Sequence, residues 1–311
     1  MKKIQSFIIL YIIFAALTAS AYIVPESPGT YTWKRYAQTI PARDSESIST
    51  YLYVPDAAGQ YPFMVFRHGF TRSKASLTEY GEHFASRGFI VVLNDSRSRS
   101  SYYTEQDSSD MIDCANWIVL QNADTGSFLY NKVDIKKAII AGFSAGGYAA
   151  EIATYKNMVN GDGNFICGAM MLFDPAPDDA DYAASIATQI TCPSVVINTR
   201  GCSMKIVQEV IFPNLASERF GLYVKGADHC DAEGHYSRLC SNVCTISQDG
   251  GWDEEHNKIF RRYGTAFLES YIKCVPDAYT YVNGLFAQTD TNIRIYSKTN
   301  VVMPPATCSL Y

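Results

Sequence analysis

The stretch that decides the fold is "KKAIIAGFSAGGYAAEIA", residues 136–153, where a strand-like apolar run passes through glycines into a helix-like segment. A single serine, Ser144, stands at the change, with Gly142 before it and Gly146 after it. This is the pattern G-x-S-x-G, in which a sharp strand-to-helix turn lifts a serine hydroxyl clear of the sheet. A glycine-rich turn that happens to contain serine is the alternative, but the flanking strand and helix patterns favour a nucleophile.

The rest of the chain continues the alternation of short apolar strands with helical patterns. The predicted strands cover residues 47–55, 61–70, 89–95, 137–143, 166–175, 193–200 and 219–227, and the predicted helices cover 76–88, 107–121, 146–157 and 254–274. Nearly all-apolar strands between helices are typical of a mainly parallel sheet with helices on both faces. We therefore expect an α/β fold with an antiparallel first strand pair. One domain should span residues 22–275, and residues 276–311 should form an extension made of a loop or small hairpin.

A serine nucleophile needs a base, and the chain contains five histidines. His229 follows the predicted strand 219–227 in a loop downstream of Ser144, and we prefer it as the base. His235, in a cysteine-bearing loop, is the alternative. His83 is expected on the surface of a helix.

The base in turn needs a carboxylate to orient it. Asp174 ends a predicted strand 30 residues after Ser144, whereas the next predicted strand ends in Arg200 without a carboxylate. We therefore assign the acid to Asp174. Its weaker rivals are Asp178, Asp179 and Asp228.

The loop after the predicted strand 61–70 is the candidate for the other half of an oxyanion hole. We expect the backbone N–H groups of Phe70 and Ala145 to be its donors. His68, Gly69 and Phe143 should lie in the substrate pocket, where glycine allows the backbone to approach the substrate closely.

These residues give the chain a resemblance to the α/β-hydrolase superfamily over residues 30–275. The stretches that carry it are "RHGFT" at the oxyanion loop, "GFSAGG" at the elbow and "LFDPAP" at the acid. The last is similar to the acid placement of chlorophyllase-like and platelet-activating-factor acetylhydrolase-like enzymes, whereas the related secreted cutinases and polyester hydrolases carry their acid one strand later. "GADHCDAEG" resembles the histidine loop of exported bacterial members. The resemblance implies an α/β-hydrolase fold with the chain order Ser144, Asp174, His229.

Two features depart from the chlorophyllases that the chain resembles. Ala145 follows the serine where those enzymes commonly carry a charged residue, and the N-terminus does not read as a plastid transit peptide. Chlorophyll is therefore not the expected substrate.

Nine cysteines in one chain predict disulfides if the protein is exported. We expect a Cys274–Cys308 bridge that ties down the C-terminal extension. A Cys202–Cys230 bridge would fix the histidine loop if the two preceding strands are neighbours. A zinc site built from Cys230, Cys240 and Cys244 with a nearby histidine is the competing interpretation, and the spacing of these residues does not favour it.

The N-terminus reads as an export signal. Lys2 and Lys3 precede an apolar stretch from Ile4 to Leu17, and small residues follow up to Ala21. The stretch is shorter than the ~20 residues of a spanning helix, so we predict a signal peptide over residues 1–21 and a secreted protein without a stable membrane span. An uncleaved anchor is the alternative.

Composition and motifs together predict an exported serine hydrolase that cleaves short-chain or lipid-like carboxylic esters. A formal charge of −5 and a pI near 5.6 disfavour nucleic acid as a partner. The chemistry requires no metal and no organic cofactor. A serine peptidase or amidase, and a non-catalytic binding protein on the same fold, are the alternatives.

Overall fold

One sheet organises the part of the chain that the structure, a computed structural model, describes: residues 22–98, 102, 104–200, 207–235, 240 and 252–296. Its strands are β1 (Trp33–Pro41), β2 (Ser47–Pro55), β3 (Tyr61–Arg67), β4 (Ile90–Asn94), β5 (Val133–Phe143), β6 (Cys167–Phe173), β7 (Ser194–Asn198), β8 (Arg219–Val224) and β9 (Ile293–Ile295). They lie in the order β1-β2-β4-β3-β5-β6-β7-β8-β9. From β4 to β8 every neighbouring pair is parallel, and antiparallel pairs stand at both edges.

Helices cover both faces of this sheet. The α-helices in the described residues are α1 (Thr78–Ser86), α2 (Thr104–Ala123), α3 (Ala145–Val159), α4 (Ala180–Ala187), α5 (Phe212–Asn214), α6 (Glu254–Tyr271), α7 (Pro276–Asn283) and α8 (Leu285–Thr289). A π-helical turn precedes α5 at Val207–Ile211, and 3-10 turns lie at Lys74–Leu77 and His229–Ala232. None of the helices in the described ranges combines the length and apolarity needed to cross a membrane.

The core is split by the sheet into two apolar clusters. Along β5, Ala138 and Ile140 pack into one cluster, while Ile139 and Ala141 pack into the other. Successive side chains of a strand point to opposite faces, so an all-apolar strand needs helices on both sides. The predicted α/β-hydrolase fold, with its mainly parallel sheet, is confirmed.

Two local expectations were wrong. His83 is not on the surface: it is 5% exposed, because α1 presents it to α6, where its Nε2 lies 2.7 Å from Thr265 Oγ1. Residues 276–295 do not form a loop or small hairpin. They build α7, α8 and the strand β9, which pairs antiparallel with β8 and extends the same sheet.

Other predictions fall on residues outside the described ranges. The signal peptide over residues 1–21 and Cys308 both lie there. Cys274 is disulfide-bonded, and its partner is not among the described residues, so the Cys274–Cys308 bridge stays a prediction.

Candidate active site

Ser144 sits on a strained turn between β5 and α3. Its backbone has φ of 57° and ψ of −125°. Residues other than glycine rarely adopt this conformation, which costs about 1–3 kcal/mol. A Cβ placed on Gly142 would lie 1.9 Å from the Gly146 carbonyl oxygen, and one on Gly146 would lie 2.4 Å from the His68 carbonyl oxygen. The two glycines are therefore a steric requirement of the turn.

His229 reaches Ser144 from the loop after β8. Its Nε2 lies 2.9 Å from Ser144 Oγ, which is hydrogen-bond distance. His229 is the first residue of the short turn His229–Ala232. The Asp228 side chain caps this turn by accepting a hydrogen bond from the Cys230 N–H at 2.8 Å. The ring also packs beside Phe143, with 4.7 Å between ring centroids, so the turn and this contact together orient the imidazole.

Asp174 completes the row from the end of β6. Its Oδ2 lies 2.6 Å from His229 Nδ1 and accepts a second hydrogen bond from the Thr199 hydroxyl, also at 2.6 Å. Its Oδ1 accepts from the Thr199 N–H at 3.1 Å. Thr199 follows β7, at the position where sequence reasoning found no carboxylate. Because β6 and β7 are neighbours, the residue after β7 orients the carboxylate after β6.

The rival residues lie elsewhere. His235 pairs with Glu79 at 2.8 Å. The carboxylates of Asp228 and Asp179 cap a 3-10 turn and α4, respectively, and Asp178 is exposed. The structure brings together Ser144, His229 and Asp174, the three residues preferred on sequence grounds.

The proposed oxyanion donors flank the serine. Ala145 is the first residue of α3, where backbone N–H groups have no partner within the helix. Within the described residues, neither the Phe70 nor the Ala145 N–H donates a backbone hydrogen bond. Gly69 lies so close that a Cβ there would be 2.9 Å from Ser144 Cβ. Phe70 and Ala145 thus lie on the two segments that meet at Ser144, as the role of oxyanion donors requires.

A cavity of about 170 Å³ opens onto Ser144 and His229. Gly69 and Phe143, two of the residues expected in the substrate pocket, line this cavity together with Phe70 and Tyr102. His68 does not line it. Its Nε2 accepts a hydrogen bond from the Ser96 N–H at 3.0 Å and its Nδ1 donates to the Gly69 carbonyl at 2.8 Å, so the imidazole is directed into the loop and borders an adjoining cavity of about 10 Å³.

Arg72 and Glu233 are among the residues of the cavity wall that sequence reasoning missed. Their side chains form a bidentate ion pair, with Arg72 Nη2 donating to Glu233 Oε2 at 2.8 Å. Burial raises the pKa of the Glu233 carboxyl, while the adjacent Arg72 guanidinium opposes that shift. No local pattern links the two, because they are 161 positions apart in the chain.

The disulfide beside the histidine differs from the expected one. Cys230 is bonded to Cys240, with a Cα–Cα distance of 5.8 Å, and not to Cys202. The bridge also takes the thiolates of Cys230 and Cys240 away from the competing zinc interpretation. Among the described cysteines, Cys114, Cys167 and Cys192 are buried and form no disulfide.

Comparison with known proteins gives a family match over part of the chain. Residues 30–160 match the model of the PET hydrolase-like family, a stretch that includes the oxyanion loop and the elbow. No curated protein gives a significant match. The match indicates an ester hydrolase. The fold is that of the α/β-hydrolases, and over residues 30–160 the chain is similar to their cutinase and polyester hydrolase type.

Proposed function

We propose that the protein is a secreted serine esterase that works through an acyl-enzyme. The observation that carries the proposal is the continuous row in which Ser144 Oγ lies 2.9 Å from His229 Nε2 and His229 Nδ1 lies 2.6 Å from Asp174. A serine, an imidazole and a carboxylate in this order are the arrangement that activates a hydroxyl for nucleophilic attack.

The reaction follows from these contacts. Ser144 Oγ attacks the ester carbonyl carbon and gives its proton to His229 Nε2, while Asp174 stabilises the imidazolium through Nδ1. The N–H groups of Phe70 and Ala145 stabilise the negative oxygen of the tetrahedral intermediate. The imidazolium then protonates the departing alcohol, and the acyl group stays on Ser144. Water, deprotonated by His229, releases the acid by the same steps.

The size and lining of the cavity support a small acyl group. About 170 Å³ beside the serine, bordered by Phe70, Phe143 and Tyr102, suits a short or compact apolar acyl chain better than a long fatty acid. We therefore place short-chain carboxylic esters ahead of lipid-like ones. Residues 1–21 would be removed on export, which the intact mass of the secreted protein tests.

The test is a series of initial rates on p-nitrophenyl esters from acetate to palmitate, with Ser144→Ala measured beside the wild type. We expect hydrolysis with an optimum at short chains and none above background in the variant. Folded wild-type protein without activity on any ester would contradict the proposal. Cleavage of amide substrates instead would favour the peptidase or amidase alternative, and inactivity on both would favour the binding protein.

A further inference from the structure

A buried ion pair joins the two loops that flank Ser144. Arg72 Nη2 lies 2.8 Å from Glu233 Oε2, and Arg72 Nε donates to Oε1. The Glu233 side chain is 1% exposed and that of Arg72 is 11% exposed. A bidentate contact fixes both distance and orientation, whereas burying two charges adds little net stability. Such a pair is better suited to hold a geometry than to stabilise the fold.

The arginine end of the pair belongs to the oxyanion loop. Arg72 comes two residues after Phe70, and its N–H donates to the Gly69 carbonyl at 3.2 Å. Thr71, between them, has φ of 61°, a left-handed conformation that is unfavourable for a β-branched residue. The loop therefore needs contacts beyond itself to keep the Phe70 N–H in place.

The glutamate end belongs to the histidine loop and is firmly held. Glu233 comes four residues after His229, and its carbonyl accepts hydrogen bonds from Trp252 Nε1 at 3.1 Å and from Asn257 Nδ2. Asn257 is a buried residue of α6. Glu233 is thus fixed to a long helix and can orient Arg72.

Two further contacts join the same segments. The Gly234 N–H donates to the Ser76 carbonyl at 2.8 Å, and His235 pairs with Glu79 at 2.8 Å. Both lie farther along the chain from Phe70 than Arg72 does. Of these three contacts between the two loops, the one made by Arg72 is therefore nearest in sequence to Phe70, the proposed oxyanion donor.

We propose that Arg72 and Glu233 are positioning residues that hold the Phe70 N–H at a fixed position relative to His229. Glu233 also balances the charge of the Arg72 guanidinium in the wall of the cavity that His229 lines. This inference rests on the proposed function, because it concerns the geometry of the same site. Without Glu233 a cation would remain in the cavity wall and disfavour the imidazolium.

Other charged groups also surround the imidazole of His229. Among the described residues, the titratable or charged groups around His229 include Asp174, Asp228, Asp231, Arg72, Glu233, His235 and His256. Asp231 is paired with His256 at 2.9 Å, and His235 with Glu79. None of these pairs involves Arg72 or Glu233, so replacing either residue changes one local charge only.

The test is a double-mutant cycle with Arg72→Met, Glu233→Gln and the double variant, in which kcat and the pH profile of kcat/KM are measured on a short-chain p-nitrophenyl ester. Each single variant should lower kcat about 10-fold, a part of what removal of an oxyanion donor costs, with KM changing less. The double variant should lose about as much as one single variant, because the contact is already broken. Losses that multiply, or an unchanged kcat, would overturn the proposal.

The pH profile separates positioning from a loss of structure. Glu233→Gln should move the acid limb of kcat/KM to lower pH, and the double variant should move it back toward the wild type because the guanidinium is gone. Arg72→Lys keeps the positive charge but not the bidentate contact with Glu233, so it should lower kcat without moving the acid limb of kcat/KM. This variant replaces Arg72→Met in the cycle if Arg72→Met does not fold. A limb that stays in place in folded Glu233→Gln would contradict the charge-balancing role.

A matched control is available in Arg87 and Glu269, a second buried ion pair at 3.4 Å that does not line the cavity. Glu269→Gln should lower Tm but leave kcat and the acid limb unchanged. Wild-type protein that hydrolyses no ester would refute the proposed function itself. An active wild type with unaffected Arg72 and Glu233 variants would refute only the positioning role.

Discussion

Two buried histidines in this molecule each contact a hydroxyl, and only one of them belongs to the candidate active site. His229 Nε2 lies 2.9 Å from Ser144 Oγ, and His83 Nε2 lies 2.7 Å from Thr265 Oγ1. By that distance alone the two pairs are equivalent. The comparison shows which surrounding features turn such a contact into a nucleophile.

The charges around the two imidazoles are opposite in sign. The Asp174 carboxylate faces Nδ1 of His229 at 2.6 Å, which favours the imidazolium that a general base must become. Around His83, burial, Arg87 and Arg261 lower the pKa of the imidazole to about 3. His83 therefore stays neutral, and the structure offers it no means of accepting a proton near neutral pH.

The hydroxyls differ as well. Ser144 projects from a turn with positive φ into a cavity, whereas Thr265 lies within α6 and is buried. Cavity size does not distinguish the pairs, since His83 borders a cavity of about 530 Å³, larger than the one at Ser144. The backbone strain at the serine and the carboxylate behind its histidine are the distinguishing features.

The largest expected effect separates the two hydroxyls. Ser144→Ala should lower kcat on esters by about 10⁶-fold, because no other group can form the acyl-enzyme. Thr265→Val, which removes the matching hydroxyl at His83, should leave kcat within about twofold. Initial rates of both variants beside the wild type test this, and a Thr265→Val loss as large as that of Ser144→Ala would contradict the distinction between the two hydroxyls.

The next effect concerns the carboxylate. Asp174→Asn should lower kcat by about 10⁴-fold, because an amide cannot hold the imidazole in the required tautomer or stabilise its charge. Thr199→Val, which removes one hydrogen bond to Asp174, should cost far less. A full pH–rate profile of each variant measures both losses, and near-wild-type activity of Asp174→Asn would return the acid role to one of its rivals.

A smaller effect is expected at the bridge that follows His229. Replacing Cys240 by serine opens a short loop between Cys230 and Cys240, which should lower the free energy of unfolding by about 2–3 kcal/mol. Urea unfolding of the wild type and the variant measures the difference. Equal stabilities of the two oxidised proteins would show that the histidine loop does not depend on the bridge.

The smallest effect tests the neutral histidine. The pKa of a histidine in an unfolded chain is near 6.5, whereas the pKa of His83 in the folded protein is lowered to about 3. Its contribution to stability is thus complete above pH 6.5 and is lost as the pH falls toward 3. At pH 5 the loss should be about 2 kcal/mol relative to His83→Gln. Urea unfolding of both proteins at pH 7 and pH 5 would reveal it, and parallel losses would contradict a buried neutral imidazole.

The sequence predicted those parts of the site that follow from local patterns. A pattern of a few neighbouring residues marks each of them: the glycines around Ser144, the end of the strand before Asp174 and the loop that contains His229. Arg72 and Glu233 do not, because their contact depends on two loops that only the folded sheet brings together. The burial of His83 likewise depends on how α1 packs against α6.

Two features, the strand β9 and the Cys230–Cys240 bridge, were not predicted from the sequence. The strand β9 is only three residues long and carries Arg294 at its centre, so no apolar run marks it. It forms because β8 offers an open edge for pairing. The Cys230–Cys240 bridge joins cysteines that are 10 positions apart and does not link neighbouring strands, so counting cysteines could not select it.

The most direct test of the central claim is reaction with a fluorophosphonate probe, followed by mass spectrometry of the digested protein. We expect one adduct, on Ser144. It should be absent in Ser144→Ala and form much more slowly in Asp174→Asn, with no label on Thr265. Folded wild-type protein that takes up no probe, or takes it up at another residue, would contradict the assignment of Ser144 as the nucleophile.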